Sequence, residues 1–210
     1  NMDAVGDHTV GLILSLLNNI VKSNNQIHDL KWDREGNRGE ELSEKTIGIV
    51  GYGNMGQSVA KRLSTFGCEI LAYDKYKTGF SSKVVKEVSL EELYEKTDIL
   101  TLHIPLNEET KYLVNNDYIQ NFSKPIRLIN TSRGKVVNQI DLIDNIKNHK
   151  ILGAALDVLE NENLKTLKND DLNNFKKLLS IENVILTPHI AGWSFQSYKK
   201  ISVVLGEKIL

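Results

Sequence analysis

Between Thr46 and Thr187 short apolar runs alternate with helix-patterned stretches, and most of these runs are apolar nearly throughout, not at every second residue. They read as strands at about 46–50, 69–73, 99–103, 127–130, 151–157 and 183–187. Helices are expected at about 54–66, 90–95, 117–122, 139–149 and 172–179, with a closing helix at 194–210. A strand apolar on both sides is buried on both faces, and parallel strands need crossovers, which the helices supply. The expected fold class is α/β, a doubly wound parallel sheet. Ser89-Leu90-Glu91-Glu92 reads as a capping box that starts one of the helices.

At 210 residues the chain can bury such a sheet without disulfides or a structural metal. Lys plus Arg total 26 against 27 Asp plus Glu, a net charge of −1, which argues against coating nucleic acid or an anionic membrane. Cys68 is the only cysteine, so an intrachain disulfide, a Cys-based zinc site and a CxxC redox pair are excluded. The composition predicts a soluble, reduced, cytoplasmic chain with no metal site.

The stretch from Thr9 to Val21 is strongly apolar but shorter than the ~20 residues a bilayer needs, and it carries Asn18 and Asn19. Asp3 and Asp7 precede it, unlike the basic start of a signal peptide. It is expected to form one long helix within residues 1–25. Val5, Thr9, Leu12, Leu16 and Ile20 follow helical spacing, and Val10, Leu14 and Leu17 extend the apolar surface to further faces. Such a helix is expected to be covered by its own domain and by a second subunit. Residues Lys22 to Lys45 read as a polar connection anchored by Trp32. A chain that starts directly into this helix without an initiator Met is expected to be part of a longer one.

Gly51-Tyr52-Gly53-Asn54-Met55-Gly56 follows the first strand of the sheet and opens a helix. A GxGxxG in that setting reads as a dinucleotide-binding turn, the alternative being a purely structural glycine turn with Asp74 as an ordinary strand-end residue. Gly51 allows the tight turn, Gly53 lets the backbone approach a pyrophosphate, and Gly56 lets helix and strand pack closely. The free N–H groups and positive end of the helix then face the phosphates. Asp74 ends the second strand, where a carboxylate accepts from both adenosine ribose hydroxyls and repels a 2′-phosphate. NAD is therefore expected over NADP, a preference that Lys75 and Lys77 weaken without reversing.

Three polar residues fall just past strands of the second half: Arg133, Glu162 and His189. Ligands of an open α/β sheet bind outside the carboxyl ends of its strands, so these loops can converge on one crevice. Singly, a loop Arg or Glu is usually a solvated charge, and a His after Pro a cap or core contact. Their joint placement on the cofactor side marks them as candidates.

The segments 4–9, 51–56, His103-Ile104-Pro105-Leu106, 129–134, 153–158 and 186–192, in this order, resemble the D-isomer-specific 2-hydroxyacid dehydrogenase family. The resemblance implies an NAD-binding Rossmann domain over residues 1–190, with 191–210 crossing back toward a substrate domain that is almost wholly outside this chain. It implies that Arg133 binds the substrate carboxylate and polarises its keto oxygen, a task that suits a bidentate, permanently charged guanidinium. His189 would be the acid–base, and Glu162 would bond its other ring nitrogen. Asp157 would hold the nicotinamide carboxamide, and His103, Ile104 and Pro105 would lie along the adenine side. Asn54 and Met55 would face the pyrophosphate, with Thr131 and Gly192 among the cofactor contacts.

The implied reaction is hydride transfer between NAD(H) and a small D-2-hydroxy acid or 2-oxo acid, with 3-phosphoglycerate or glycerate/hydroxypyruvate as leading substrates. A homodimer through the first helix is also implied. Two positions depart from the family pattern. Asn163 follows Glu162 where Pro is usual, which predicts a looser loop, and Trp193 replaces a small or polar residue, either lining the substrate pocket or anchoring a helix. Two rival readings share these residues: an NADH-sensing, corepressor-like binding protein, and a cofactor-binding chain without catalysis.

Overall fold

The computed structural model describes residues 1–200. Its strands are β1 (Thr46–Val50), β2 (Glu69–Tyr73), β3 (Lys86–Glu87), β4 (Ile99–Leu102), β5 (Ile126–Asn130), β6 (Ile151–Leu156) and β7 (Val184–Leu186). The helices are α1 (Met2–Leu17), α2 (Ile20–His28), α3 (Asn54–Leu63), α4 (Leu90–Lys96), α5 (Asn116–Gln120), α6 (Gln139–Lys147) and α7 (Asn169–Leu179). All strands pair in parallel in one sheet of order β3-β2-β1-β4-β5-β6-β7. This is the expected doubly wound α/β architecture. Among the strands, only the two-residue β3 was not legible, because Lys86 and Glu87 form a polar edge with no apolar run.

Alternation along the strands divides the core into two layers. Ile47 and Ile49 of β1 pack with Val10, Ile13 and Leu17 of α1 and Val59 and Leu63 of α3. Val50, Leu100 and Leu128 face the opposite layer, with Leu93, Phe122 and Leu142. The starts of α4 and α6 follow local polar signals. Asn138 caps α6 by accepting from Ile140 N at 3.1 Å and Asp141 N, and Ser89 caps α4 by accepting from Glu92 N at 3.2 Å. The reciprocal half of the capping box is not made by Glu92, whose carboxylate turns to Lys86 and, at 2.7 Å, to Lys96.

The single long helix expected within residues 1–25 is instead two helices, α1 and α2, bent by 63°. Asn19 sits in the left-handed region at φ 52°, which a short polar side chain tolerates, and the Asn18 amide donates back to Leu14 O at 3.1 Å. Neither helix alone is long and apolar enough to cross a membrane among the described residues. The apolar residues of α1 are largely covered by its own domain, whereas no residue of α2 is buried. Trp32 does not anchor the connection: it is 85% exposed, and Asn37 ties that loop by donating to Gln26 Oε1 at 2.6 Å and Asp33 O at 2.7 Å. The backbone is helical over 195–200, and the rest of the expected closing helix lies outside the described residues.

Sheet order reverses between β1 and β4, so the loops leaving these two strands separate and leave a crevice at the carboxyl edge.

Candidate active site

Gly51, at φ +93°, makes the turn out of β1, and an added Cβ there would lie 2.5 Å from His103 O. At Gly56 a Cβ would fall 2.1 Å from Gly51 O, so helix and turn touch through bare backbone. Gly53 differs: a Cβ would meet nothing within 4 Å. Its open side and the start of α3, which has no side-chain cap, form a cradle of free N–H groups suited to a pyrophosphate. Asn54 and Met55 are the first residues of α3, beside that cradle.

Asp74 is held in place by three backbone donors: Tyr52 N to Oδ2 at 2.8 Å, and Tyr76 N at 2.9 Å and Lys77 N at 3.1 Å to Oδ1. Across the crevice, His103 Nε2 meets Thr101 Oγ1 at 2.9 Å, while its Nδ1 is buried without a partner. Burial pushes the His103 imidazole down to about 4, so the ring is neutral. Ile104 packs on the Gly51 turn, and Pro105 O accepts from Thr110 Oγ1 at 2.6 Å. An open glycine, a fixed strand-end carboxylate and an orphaned ring nitrogen together fit an adenosine dinucleotide.

Arg133, Glu162 and His189, widely separated in sequence, line one cleft of about 800 Å³ with Leu106, Tyr112 and Lys135. His189 Nδ1 lies 2.9 Å from Glu162 Oε2. Arg133 donates to Ser132 O at 2.6 Å and has no ion-pair partner among the described residues. The rest of its fork is therefore free for an anion. Asn130 shapes this loop, its Oδ1 accepting from Ser132 N at 3.0 Å and its Nδ2 donating to Arg133 O at 3.0 Å.

Asp157 is buried and committed to the His189 loop. Its carboxylate accepts from Thr187 Oγ1 at 2.5 Å, Ile190 N at 2.9 Å and Ala191 N at 2.8 Å, and its carbonyl accepts His189 N at 2.7 Å. His189 itself is left-handed at φ 56°. Thr131 Oγ1 meets Thr9 Oγ1 at 3.1 Å, and Gly192 sits against Asn1.

Several residues that shape the cleft carried no signal of their own in the sequence. Glu160 resembles Glu162 in type and lies two residues away, yet it is taken up structurally, accepting from Gln139 N at 2.5 Å and Tyr112 OH at 3.2 Å. Burial and the adjacent Glu160 carboxylate raise the Tyr112 phenol above its ordinary pKa. Gly134 lies so close to the neighbouring loop that a Cβ would fall 1.8 Å from Leu159 O. Glu109 takes Lys75 at 2.8 Å and Tyr76 OH at 2.6 Å, so the cation beside Asp74 is already paired. The loop after Glu162 closes on itself without the usual Pro: Asn163 O accepts Thr166 N at 3.0 Å and Thr166 Oγ1 at 2.8 Å. Trp193 is not among the residues lining the Arg133 cleft; it is 76% exposed and packs edge-on against Tyr198.

Fold and site together define a nucleotide-binding α/β domain that carries, at the strand ends, a hydrogen-bonded His–Glu pair and a guanidinium without an ion-pair partner among the described residues. Residues 10–191 match the description "D-isomer specific 2-hydroxyacid dehydrogenase, NAD binding domain", and the chain belongs to that family. It is 34% identical to the hydroxypyruvate reductase of Thermotoga maritima, over 98% of this chain and 65% of that protein. It is 39% identical to the D-specific alpha-keto acid dehydrogenase of Enterococcus faecium, over 94% of this chain and 62% of that protein. The D-lactate dehydrogenase of Aquifex aeolicus, solved with NAD and lactic acid, superposes with a TM-score of 0.90 at 29% identity, covering 100% of this chain and 66% of that one. The chain thus spans about two thirds of the length of these relatives.

Proposed function

We propose that this chain is the cofactor-binding part of an NAD-dependent D-2-hydroxyacid dehydrogenase acting on a small 2-hydroxy or 2-oxo acid. The observation that carries this reading is the convergence of the His189–Glu162 pair and the free Arg133 guanidinium on one cleft beside the dinucleotide crevice. Bound NAD supplies the two-electron donor or acceptor. Gly53 and the start of α3 hold its pyrophosphate, Asp74 its ribose, and His103 to Pro105 the adenine side. Arg133 binds the carboxylate and polarises the neighbouring carbonyl. His189 donates a proton from Nε2 to the carbonyl oxygen during reduction and accepts it back during oxidation, while Glu162 fixes the ring through Nδ1.

The cleft is lined by Glu160, Glu162 and Asp171 against Arg133 and Lys135, so we place glycerate/hydroxypyruvate ahead of 3-phosphoglycerate as substrate. We further propose that the segment after residue 190 leads toward a substrate-binding domain, and that the working protein is a cytoplasmic homodimer. The dimer surface we assign is the exposed apolar set on and after α2, Ile20, Val21, Ile27, Leu30 and Trp32.

The test is turnover of a panel of 2-oxo acids with NADH by the full-length protein and its Arg133→Ala and His189→Ala variants. Arg133→Ala is expected to abolish turnover while NADH affinity stays within about twofold. Loss of turnover and affinity together would show that Arg133 belongs to the cofactor site instead. Unchanged turnover in His189→Ala would remove that residue as the proton donor.

A further inference from the structure

We infer that two adjacent residues of α1, His8 and Thr9, are positioning residues that tie the helix to both catalytic loops, one to each. Thr9 Oγ1 meets Thr131 Oγ1 at 3.1 Å, two residues before Arg133. His8 Nε2 meets Thr187 Oγ1 at 3.2 Å, two residues before His189. The Thr187 hydroxyl donates to Asp157 Oδ1 at 2.5 Å, so its oxygen is the acceptor toward His8, and His8 Nε2 carries the proton. Asp157 in turn accepts from Ile190 N and Ala191 N, which completes a chain of bonds from α1 to the far side of His189.

Neighbouring helix positions point about 100° apart, so a dipeptide can reach two loops that leave different strands. The helix is a fixed reference, because it is packed on α3 and on the sheet. Thr9 is fully buried on an otherwise apolar face. A valine there would have nearly the same shape with no hydroxyl to desolvate, so what the threonine adds is direction. Thr9 and Thr131 thereby set the height of the Arg133 loop, and His8 and Thr187 set that of the His189 loop.

This inference rests on the dehydrogenase reading, and it separates the two loops by their kinetic signatures. In the full-length protein, Thr9→Val is expected to raise KM for the 2-oxo acid about tenfold with little change in kcat, because it releases the carboxylate-binding Arg133. His8→Phe is expected to lower kcat about tenfold with little change in KM, because it releases the proton donor. NADH affinity, read by fluorescence titration, stays within about twofold in both. Thr9→Ser and His8→Gln, which keep a hydroxyl and an N–H donor, restore most of the loss.

Wild-type values in both variants would overturn the inference. So would losses in kcat and KM alike that follow a fall in thermal midpoint and are not restored by the conservative variants, since that is the pattern of a merely structural role. Should Thr9→Val not fold, Thr131→Val breaks the same bond from the other side and must give the same KM effect. Absence of 2-oxo acid reduction by the wild-type protein would refute the dehydrogenase reading itself.

Discussion

Replacing Gly134 by alanine tests whether the cleft depends on direct backbone contact between its two walls. Gly134 is not among the glycines with positive φ, so an alanine can adopt its backbone conformation without strain. The obstacle is the neighbouring loop: the new Cβ would lie 1.8 Å from Leu159 O, 2.0 Å from Leu159 C and 2.7 Å from Glu160 N. Contacts of this kind need about 3 Å or more, so the Arg133 loop and the Glu160–Glu162 loop must part by over 1 Å, and the colliding atoms are backbone that cannot rotate away.

Overpacking typically costs 1–3 kcal/mol, and a clash with backbone belongs at the upper end, about 3 kcal/mol. For a domain of this size that lowers the thermal midpoint by about 6–12 °C. The same displacement separates Arg133 from the His189–Glu162 pair, and a misplacement of about 1 Å costs on the order of 100-fold in rate. Thermal unfolding and steady-state turnover on the full-length protein, with NADH titration as control, are the assays. NADH affinity should fall far less than turnover, since the Gly51–Gly56 turn leaves β1, two strands away from the β5 loop that carries the clash. A variant that melts with the wild type and turns over normally would show that the loops yield freely and that the close contact is not what aligns the site.

Gly53→Ala should behave in the opposite way. With nothing within 4 Å of the added Cβ, folding is spared or gains up to about 1 kcal/mol, while NADH binding weakens at least tenfold because the methyl occupies the pyrophosphate cradle; equal affinity would contradict that cradle. Glu109→Gln frees Lys75 beside Asp74, and we expect about threefold tighter NADPH binding with NADH unchanged. Unaltered NADPH affinity would mean that Lys75 is too distant to matter. His103 gives a pH dependence. Its folded pKa of about 4 lies below the ordinary 6.5, so the unfolded chain binds the proton first, and the stability from the neutral ring is lost as pH falls from about 6.5 to 4. The loss is at most about 3 kcal/mol, and His103→Asn should flatten the slope between pH 6.5 and 5 in thermal melts. A slope unchanged by the substitution would assign that acid sensitivity to other groups.

Elements written in contiguous residues were legible without a structure. Val50, Gly51, Gly53 and Gly56 stand within seven positions, and the strand, turn and helix they specify need only local backbone geometry. Asp74 follows at the end of the next strand for the same reason. The break of the first helix was carried by Asn18 and Asn19, which mark a left-handed residue only weakly against the apolar residues on either side. Trp32 is aromatic enough to suggest an anchor, but burial depends on what reaches a side chain, and no element of the described residues does.

The doubly wound sheet and the dinucleotide turn were thus readable in the residue pattern alone, and the resemblance added expected roles for the candidate residues Arg133, Glu162 and His189. Only the tertiary structure decided how they work together. It set Glu162 2.9 Å from His189 while turning Glu160 to Gln139 and Tyr112, committed Asp157 to the His189 loop, and brought Gly134 against Leu159. It also joined His8 to Thr187 across 179 positions of the chain. The physical reason is one of range. Propensity and turn chemistry act over a few residues, whereas hydrogen bonds between loops exist only once crossover helices have stacked the strands and aligned their carboxyl ends.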